Sequence, residues 1–196
     1  MNKKSLSNII LIGGGGHCMS VIDVIETTKQ YNIKGIIDSD SRKSEVLGYP
    51  ILGGDEKIPE LVNDSVFFLI TVGQIKSPSI RKKIAFKLES LGANIATIIS
   101  PLSYVSKHAK INKGSIVMHH AVVNALSIVG HHCIINTKAN IEHGAIVNDF
   151  CHISTGAIVN GDSIIGSESF IGSNATISNG ITIENNSIIS AGKFVK

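Results

Sequence analysis

In the stretch ANIEHGAIVNDFCHISTGA (Ala139 to Ala157) two histidines and two acids stand among residues apolar enough for a core. Three roles are open to His143: buried filler, metal ligand or base. An imidazole titrating near 6.5 is suited to taking a proton from an attacking amine at neutral pH, which is general-base work. Gly144, the residue that follows it, has no side chain to orient the ring; Glu142 or Asp149 could do so, or the role is unfilled. A second stretch with chemical potential is LIGGGGH. Gly13 to Gly16 follow an aliphatic run and precede a helical pattern, so their N–H groups could receive a phosphate at a helix N-terminus. The run departs from the dinucleotide fingerprint G-x-G-x-x-G, which would need Gly where Cys18 stands. A tight strand-to-helix turn is the plainer alternative. Candidate binding residues there are Gly14, Gly15, Gly16 and His17, with His17 equally suited to capping its own loop.

The remaining composition narrows the field. A net charge of +3 gives no electrostatic case for nucleic acid, and the absence of Trp removes stacking platforms for single strands. Three cysteines with no CxxC spacing argue against a disulfide framework or a zinc site and fit a reducing, cytoplasmic setting. The apolar run NIILIGGGG is too short to cross a bilayer, so no membrane insertion is expected.

What holds His143 in place is a repeat. At every sixth residue from Val105 to Val195 the sequence has Val or Ile, sixteen times in succession. Four residues after these, thirteen of fifteen positions are small. This is the pattern of a parallel β-helix built from hexapeptides: one β-branched side chain points inward per strand, and a small residue lets the chain bend. Three hexads make a triangular coil, so equivalent positions recur every 18 residues and about five coils result. A β-sandwich of short strands is disfavoured, because period six leaves no room for turn-sized gaps. The register places His143 at a corner, two residues after inward Ile141, with Gly161 above it. His119 and His120 fall at a second corner and His131 and His132 at the third, so no metal cluster is expected within one chain. Thr137, Thr155, Ser173 and Ala191 share a corner of small residues, a shallow groove for an extended thiol-ended cofactor.

The first half reads differently. All four prolines lie within residues 1–101. Strands are expected at NIILIG, at IKGIID ending in Asp38, at SVFFLITVG closing with Gly73, and at NIATII, with helices from about His17 to Gln30 and from Ser79 to Leu91. Alternating strands and helices imply a parallel sheet. Asp38 and Gly73 then sit at the same strand-end edge as the glycine run, where an acid accepts hydrogen bonds from a ribose or base. The expected organisation is an α/β Rossmann-like domain over residues 1–100 followed by a β-helix over residues 101–196.

These halves, in this order, resemble the bacterial sugar-nucleotide acetyltransferases of the left-handed β-helix class, those of bacillosamine and perosamine type and the sialic-acid O-acetyltransferases. The resemblance rests on LIGGGGH, IID, TVG, IRKKI and INTKANIEHGAIVNDFCHISTGA. It implies left-handedness, a homotrimer, acetyl-CoA as co-substrate, no metal, and N-acetylation of a nucleotide-linked 4-amino-4,6-dideoxy sugar. O-acetylation of a sialic or related sugar, or a silent trimer that only binds a nucleotide sugar, are the alternatives. It carries the base onto His143, an acetyl-CoA contact onto His152, an in-site Asn onto Asn136, and a candidate oxyanion donor onto the Gly161 N–H. Relatives place an acid directly after the base, where this sequence has Gly144, and continue into a tail beyond the last coil, where it ends at Lys196.

Overall fold

NIILI is aliphatic at every position because its strand is covered on both faces. In the computed structural model, which describes residues 6–40 and 42–196, this segment forms β1 (Ser7–Ile12), with Ile9 to Ile12 buried. It pairs in parallel with β2 (Tyr31–Ile37) on one side and β5 (Val66–Ile70) on the other. Beyond β2 come β4 (Tyr49–Gly53) and β3 (Glu45–Val46), and beyond β5 comes β6 (Asn94–Ile95). Helix α1 (Gly16–Thr28) buries Cys18, Val21, Ile22, Val24 and Ile25 on one stripe and ends at Lys29 in the left-handed conformation. A short α2 (Ile58–Leu61) and then α3 (Ser79–Ser90) follow. The sequence reading did not find β3, β4 or α2. The β3–β4 hairpin turns through Leu47 and Gly48, both at positive φ, and a leucine at the first of these hides the usual Asn-Gly signal.

The stretch NIATII, expected as one strand, is two. Asn94–Ile95 completes the α/β sheet, whereas β7 (Ile98–Ile99) pairs with β10 (Ile116–Val117), 18 residues on. From β7 to β23 (Phe194–Val195), two-residue strands recur every six residues and form three parallel sheets of stacked equivalents. The inward column is as expected: Val117 through Ile177 along the hexad register are 0% exposed, with Val105, Ile111, Ile189 and Val195 packed at the ends. The small column does more than make room. Ser115, Cys133, Cys151 and Ser169 each donate to the carbonyl fifteen residues on, at 2.6, 3.0, 3.1 and 3.0 Å. All three cysteines are free and buried.

A third column escaped the sequence reading. From Gly114 to Gly192, every sixth residue has positive φ, whether it is Gly, Asn or Asp or a bulkier His120, Leu126, Lys138 or Phe150. It is the corner residue that bends the chain from one flat face to the next.

By contact the chain divides into two compact units, residues up to Gly73 with Lys83–Ala96, and Gln74–Lys82 with Thr97–Lys196. Within the second, the segment Gln74–Lys82 is tied to the β-helix. Gln74 Nε2 donates to Phe150 O (2.6 Å), Arg81 Nη2 donates to His132 O (2.8 Å), and Lys82 Nζ meets Glu168 Oε1 (2.6 Å). Arg81 is 1% exposed, and burial lowers its pKa to about 10, so it stays a cation at neutral pH. Among the described residues no helix is long and apolar enough to cross a membrane.

Candidate active site

In the first unit, β1 ends in Gly13, whose N–H donates to Ile37 O (2.8 Å), and α1 begins at Gly16 with Gly15 as its N-cap and no side-chain cap. A Cβ at Gly15 or Gly16 would meet nothing within 4 Å, and both are exposed, so this end of the helix is open to a ligand. Gly14 is buried, and its N–H donates to Asp38 Oδ2. Asp38 also accepts from Asp40 N (2.8 Å) and lies 3.6 Å from Lys43 Nζ, which donates to Gly14 O (3.1 Å). Burial pushes the Asp38 carboxyl up, but the Asp40 and Gly14 N–H groups and the Lys43 charge outweigh it and hold the pKa below the usual value. Asp38 therefore braces the glycine loop before it can serve a ribose, and Lys43 is a cation at the loop that the sequence reading missed. A cleft of about 510 Å3 opens beside them, lined by Asp38, Ser39, Lys43, Ile51, Gly53 and Glu56 at the C-terminal ends of β2 and β4. Gly73 is exposed, and a Cβ there would stand 3.8 Å from His17 Cβ. The expected residues of this unit thus gather at one sheet edge, the usual ligand side of an open parallel sheet.

In the second unit His143 is an exposed corner residue, neither core nor part of a metal cluster; no group of three His, Cys, Asp or Glu among the described residues is arranged to hold a metal. Its ring lies over Gly161 in the next coil: a Cβ there would fall 2.6 Å from His143 Cε1 and 2.8 Å from Nε2. Glu142 precedes it on the corner after β14 (Asn140–Ile141). Its carboxylate accepts from Asn124 Nδ2 (3.0 Å) and Asn140 Nδ2 (2.9 Å). Those two amides, against a smaller desolvation and helped by the His143 N–H and charge, keep Glu142 ionised below the usual carboxylate range. Both Glu142 oxygens are thus engaged by asparagines. Asp149, the other proposed orienting acid, pairs instead with His131, at 3.1 Å between Oδ1 and Nδ1.

Asn136 and His152 stand at a different corner of the same chain. Asn136 Oδ1 accepts from Thr137 N (2.8 Å), and its Nδ2 lies 3.1 Å from His152 Nε2. The other ring nitrogen of His152 faces Gln74 O. His152 is 7% exposed, and desolvation, aided by the Arg81 charge and opposed by Gln74 O, pulls its pKa down to about 4. It is therefore neutral at pH 7, with Nδ1–H donating to Gln74 O and Nε2 accepting from Asn136. Both nitrogens are spoken for, which leaves the carbon edge of the ring for any further contact. Ser173 shares this corner, with its Oγ 3.0 Å from Ser154 Oγ, and Ala191 lies one coil on, exposed. The structure thus gathers the expected β-helix residues into two groups, His143 with Glu142 and Gly161, and Asn136 with His152, Ser173 and Ala191. Sequence reasoning missed Gln74, Asn124 and Asn140; the two asparagines flank Glu142 at 18 and two residues' distance, a spacing the coil period makes visible.

Residues 8–88 match the PglD N-terminal domain family, and residues 163–196 match the hexapeptide repeat of succinyl-transferase. A UDP-N-acetylbacillosamine N-acetyltransferase of Bacillus subtilis is 30% identical over 115 residues, which are 58% of this chain and 52% of that protein. The chain thus aligns with about half the length of this curated relative. Among solved structures, the acetyltransferase domain of PglB from Neisseria gonorrhoeae superposes with a TM-score of 0.92 at 30% identity, covering 97% of this chain and 91% of that one. A perosamine N-acetyltransferase from Caulobacter crescentus in complex with CoA and GDP-perosamine superposes with a TM-score of 0.91 at 28% identity, covering 98% and 90%. An α/β unit of PglD type followed by a left-handed hexapeptide β-helix is the architecture these proteins share, and the chain belongs to this family of sugar N-acetyltransferases.

Proposed function

We propose that this chain transfers the acetyl group of acetyl-CoA to the amino group of a nucleotide-linked 4-amino-4,6-dideoxy sugar, as a cytoplasmic homotrimer, with His143 as general base. The observation that carries the reading is the exposed His143 imidazole laid over Gly161 at a β-helix corner. It is supported by relatives solved with acetyl coenzyme A and with CoA and GDP-perosamine. The free amine attacks the thioester carbonyl while His143 takes its proton, forming the C–N bond and a tetrahedral oxyanion. The Gly161 N–H is the candidate donor to that oxyanion. Collapse breaks the C–S bond, and the imidazolium returns its proton to the departing CoA sulfur. The corner of Asn136, His152, Ser173 and Ala191 lines the CoA groove, and Gly14 to His17, Asp38 and Gly73 hold the nucleotide.

The test is incubation with acetyl-CoA and a panel of UDP-, GDP- and dTDP-4-amino sugars, reading free thiol. Thiol release with one of them, lowered by roughly 10²–10⁴-fold in His143→Ala with CoA affinity kept, is the expected result. Release only with hydroxyl acceptors would replace N- by O-acetylation, and no release with any acceptor would overturn the enzyme.

A further inference from the structure

The cleft of about 510 Å3 in the first unit carries more chemistry than the glycine loop beside it uses. Its volume falls within the roughly 300–1,000 Å3 of small-molecule sites. Asp38 and Lys43 in its lining are tied to the loop already, through Gly14 N and Gly14 O. From β4 come Ile51 and Leu52, half-buried aliphatics against which a flat ring can lie. The remaining charged side chain of the lining is Glu56, in a single 3-10 turn (Asp55–Lys57) that follows β4.

Glu56 is held in place. Gly54 N donates to Glu56 Oε1 (3.0 Å). Gly54 itself has φ −88° and ψ −171°, a conformation open to any residue, so the backbone does not ask for glycine there. Space does: a Cβ at Gly54 would fall 2.5 Å from Glu56 Oε2. The carboxylate thus folds back across Gly54 instead of extending into solvent. Its own N–H and that of Gly54, against a smaller desolvation and helped by the Lys57 and Lys87 charges, hold it below the usual carboxylate range. It is therefore an anion at neutral pH. A carboxylate has about four lone-pair sites, so accepting capacity remains toward the cleft after the backbone is served.

Base edges differ in what they offer such a group. Guanine alone carries two adjacent donors, N1–H and its exocyclic amine, the pattern that a carboxylate accepts with both oxygens. The N3–H of uracil or thymine stands between two carbonyl oxygens, which a carboxylate repels. Adenine and cytosine place a ring acceptor beside their amine. Guanine also carries the acceptors O6 and N7, which suit the Ser39 hydroxyl and the Lys43 ammonium, the side-chain donors of the same lining. Resting on the first unit as the nucleotide site, we propose that this cleft takes guanine, so that the acceptor sugar is carried by GDP, and that Glu56 is the residue that selects the base.

The test is calorimetric titration of the full chain with GDP, IDP, UDP and dTDP, which reads binding without acetyl transfer. GDP should bind roughly 10–100-fold more tightly than UDP or dTDP, with IDP, which keeps N1–H and lacks the amine, in between. Glu56→Gln replaces one acceptor by a donor and should abolish most of that preference, with UDP affinity unchanged or improved. Gly54→Ala keeps the charge but fills the space in which the carboxylate lies, and should weaken GDP selectively as well. Both positions lie at the surface of the turn, and UDP binding reports that the variants are folded. UDP or dTDP binding as tightly as GDP, IDP matching GDP, or a GDP preference that survives in both variants would overturn the assignment of guanine while the nucleotide site stands. GDP and UDP weakened alike in both variants would overturn the selecting role of Glu56. Binding of none of the four would overturn the nucleotide site, and the base assignment with it.

Discussion

At the scale of single residues, the histidines separate by what surrounds them. His143 is open to solvent, whereas His152 is enclosed and held neutral between Asn136 and Gln74 O. Its folded pKa of about 4 lies below the ordinary imidazole value. Above pH 6.5 both folded and unfolded chains hold it neutral, and its environment costs nothing. As pH falls from 6.5 through 4 the unfolded chain takes up the proton first, so stability is lost across that window, by up to about 3 kcal/mol. Urea midpoints at pH 7, 5.5 and 4.5 should therefore fall more steeply in the wild type than in His152→Gln; equal slopes would refute a buried neutral His152. Of the candidate site, the sequence alone supports the position of His143 at a corner and Gly161 above it, because the 18-residue period ranks every corner residue. The partner of His152 was not legible. Gln74 is 78 residues away, in a segment whose pattern gives no sign that it lies against the β-helix.

At the scale of elements, a period is legible when residue type follows position. The inward column is uniformly Val or Ile because each side chain must fill the same space between its neighbours above and below. The positive-φ column was not legible, because its residues are exposed for the most part and types as unlike as His120, Leu126 and Lys138 occupy it. That column predicts where strain sits. Leu126 is 71% exposed, so its side chain gains little from burial while its backbone holds φ 64°. The left-handed conformation costs an L-residue roughly 1–2 kcal/mol, against about 0.5–1 kcal/mol for the added freedom of glycine in the unfolded chain. Leu126→Gly should raise the denaturation midpoint by up to about 1 kcal/mol equivalent, and a clear loss would show the corner to be unstrained. The inward column behaves oppositely. Ile135 is 0% exposed, and Ile135→Ala should cost about 2–5 kcal/mol through the cavity it leaves between coils. The split of NIATII follows from the same logic. Both halves are apolar, and only the pairing of Ile98 with Ile116 tells that the second half already belongs to the β-helix.

At the scale of the whole molecule, the division of the proposed β-helix site residues between two corners has a consequence for assembly. His143 with Gly161, and Asn136 with His152 and Ser173, are one hexad apart in sequence and so lie at different corners of the triangular β-helix. One chain cannot fold a rigid triangle to bring its own corners together; a symmetric neighbour can bring its second corner to the first, which is a heterologous contact that closes into a ring. Light scattering should therefore give three times the chain mass at micromolar concentration. Mixing supplies a sharper test. His143→Ala and Asn136→Ala should each be impaired alone. In trimers reassembled from an equal mixture, a site works where a chain with intact His143 meets a neighbour with intact Asn136, each with a chance of one half. About a quarter of the sites should recover, and turnover of the mixture should rise well above that of either variant. Were both groups drawn from one chain, no mixed trimer could contain a repaired site. Mixed trimers, verified by two distinguishable tags, that never exceed the parent variants would show that the corners do not meet across subunits.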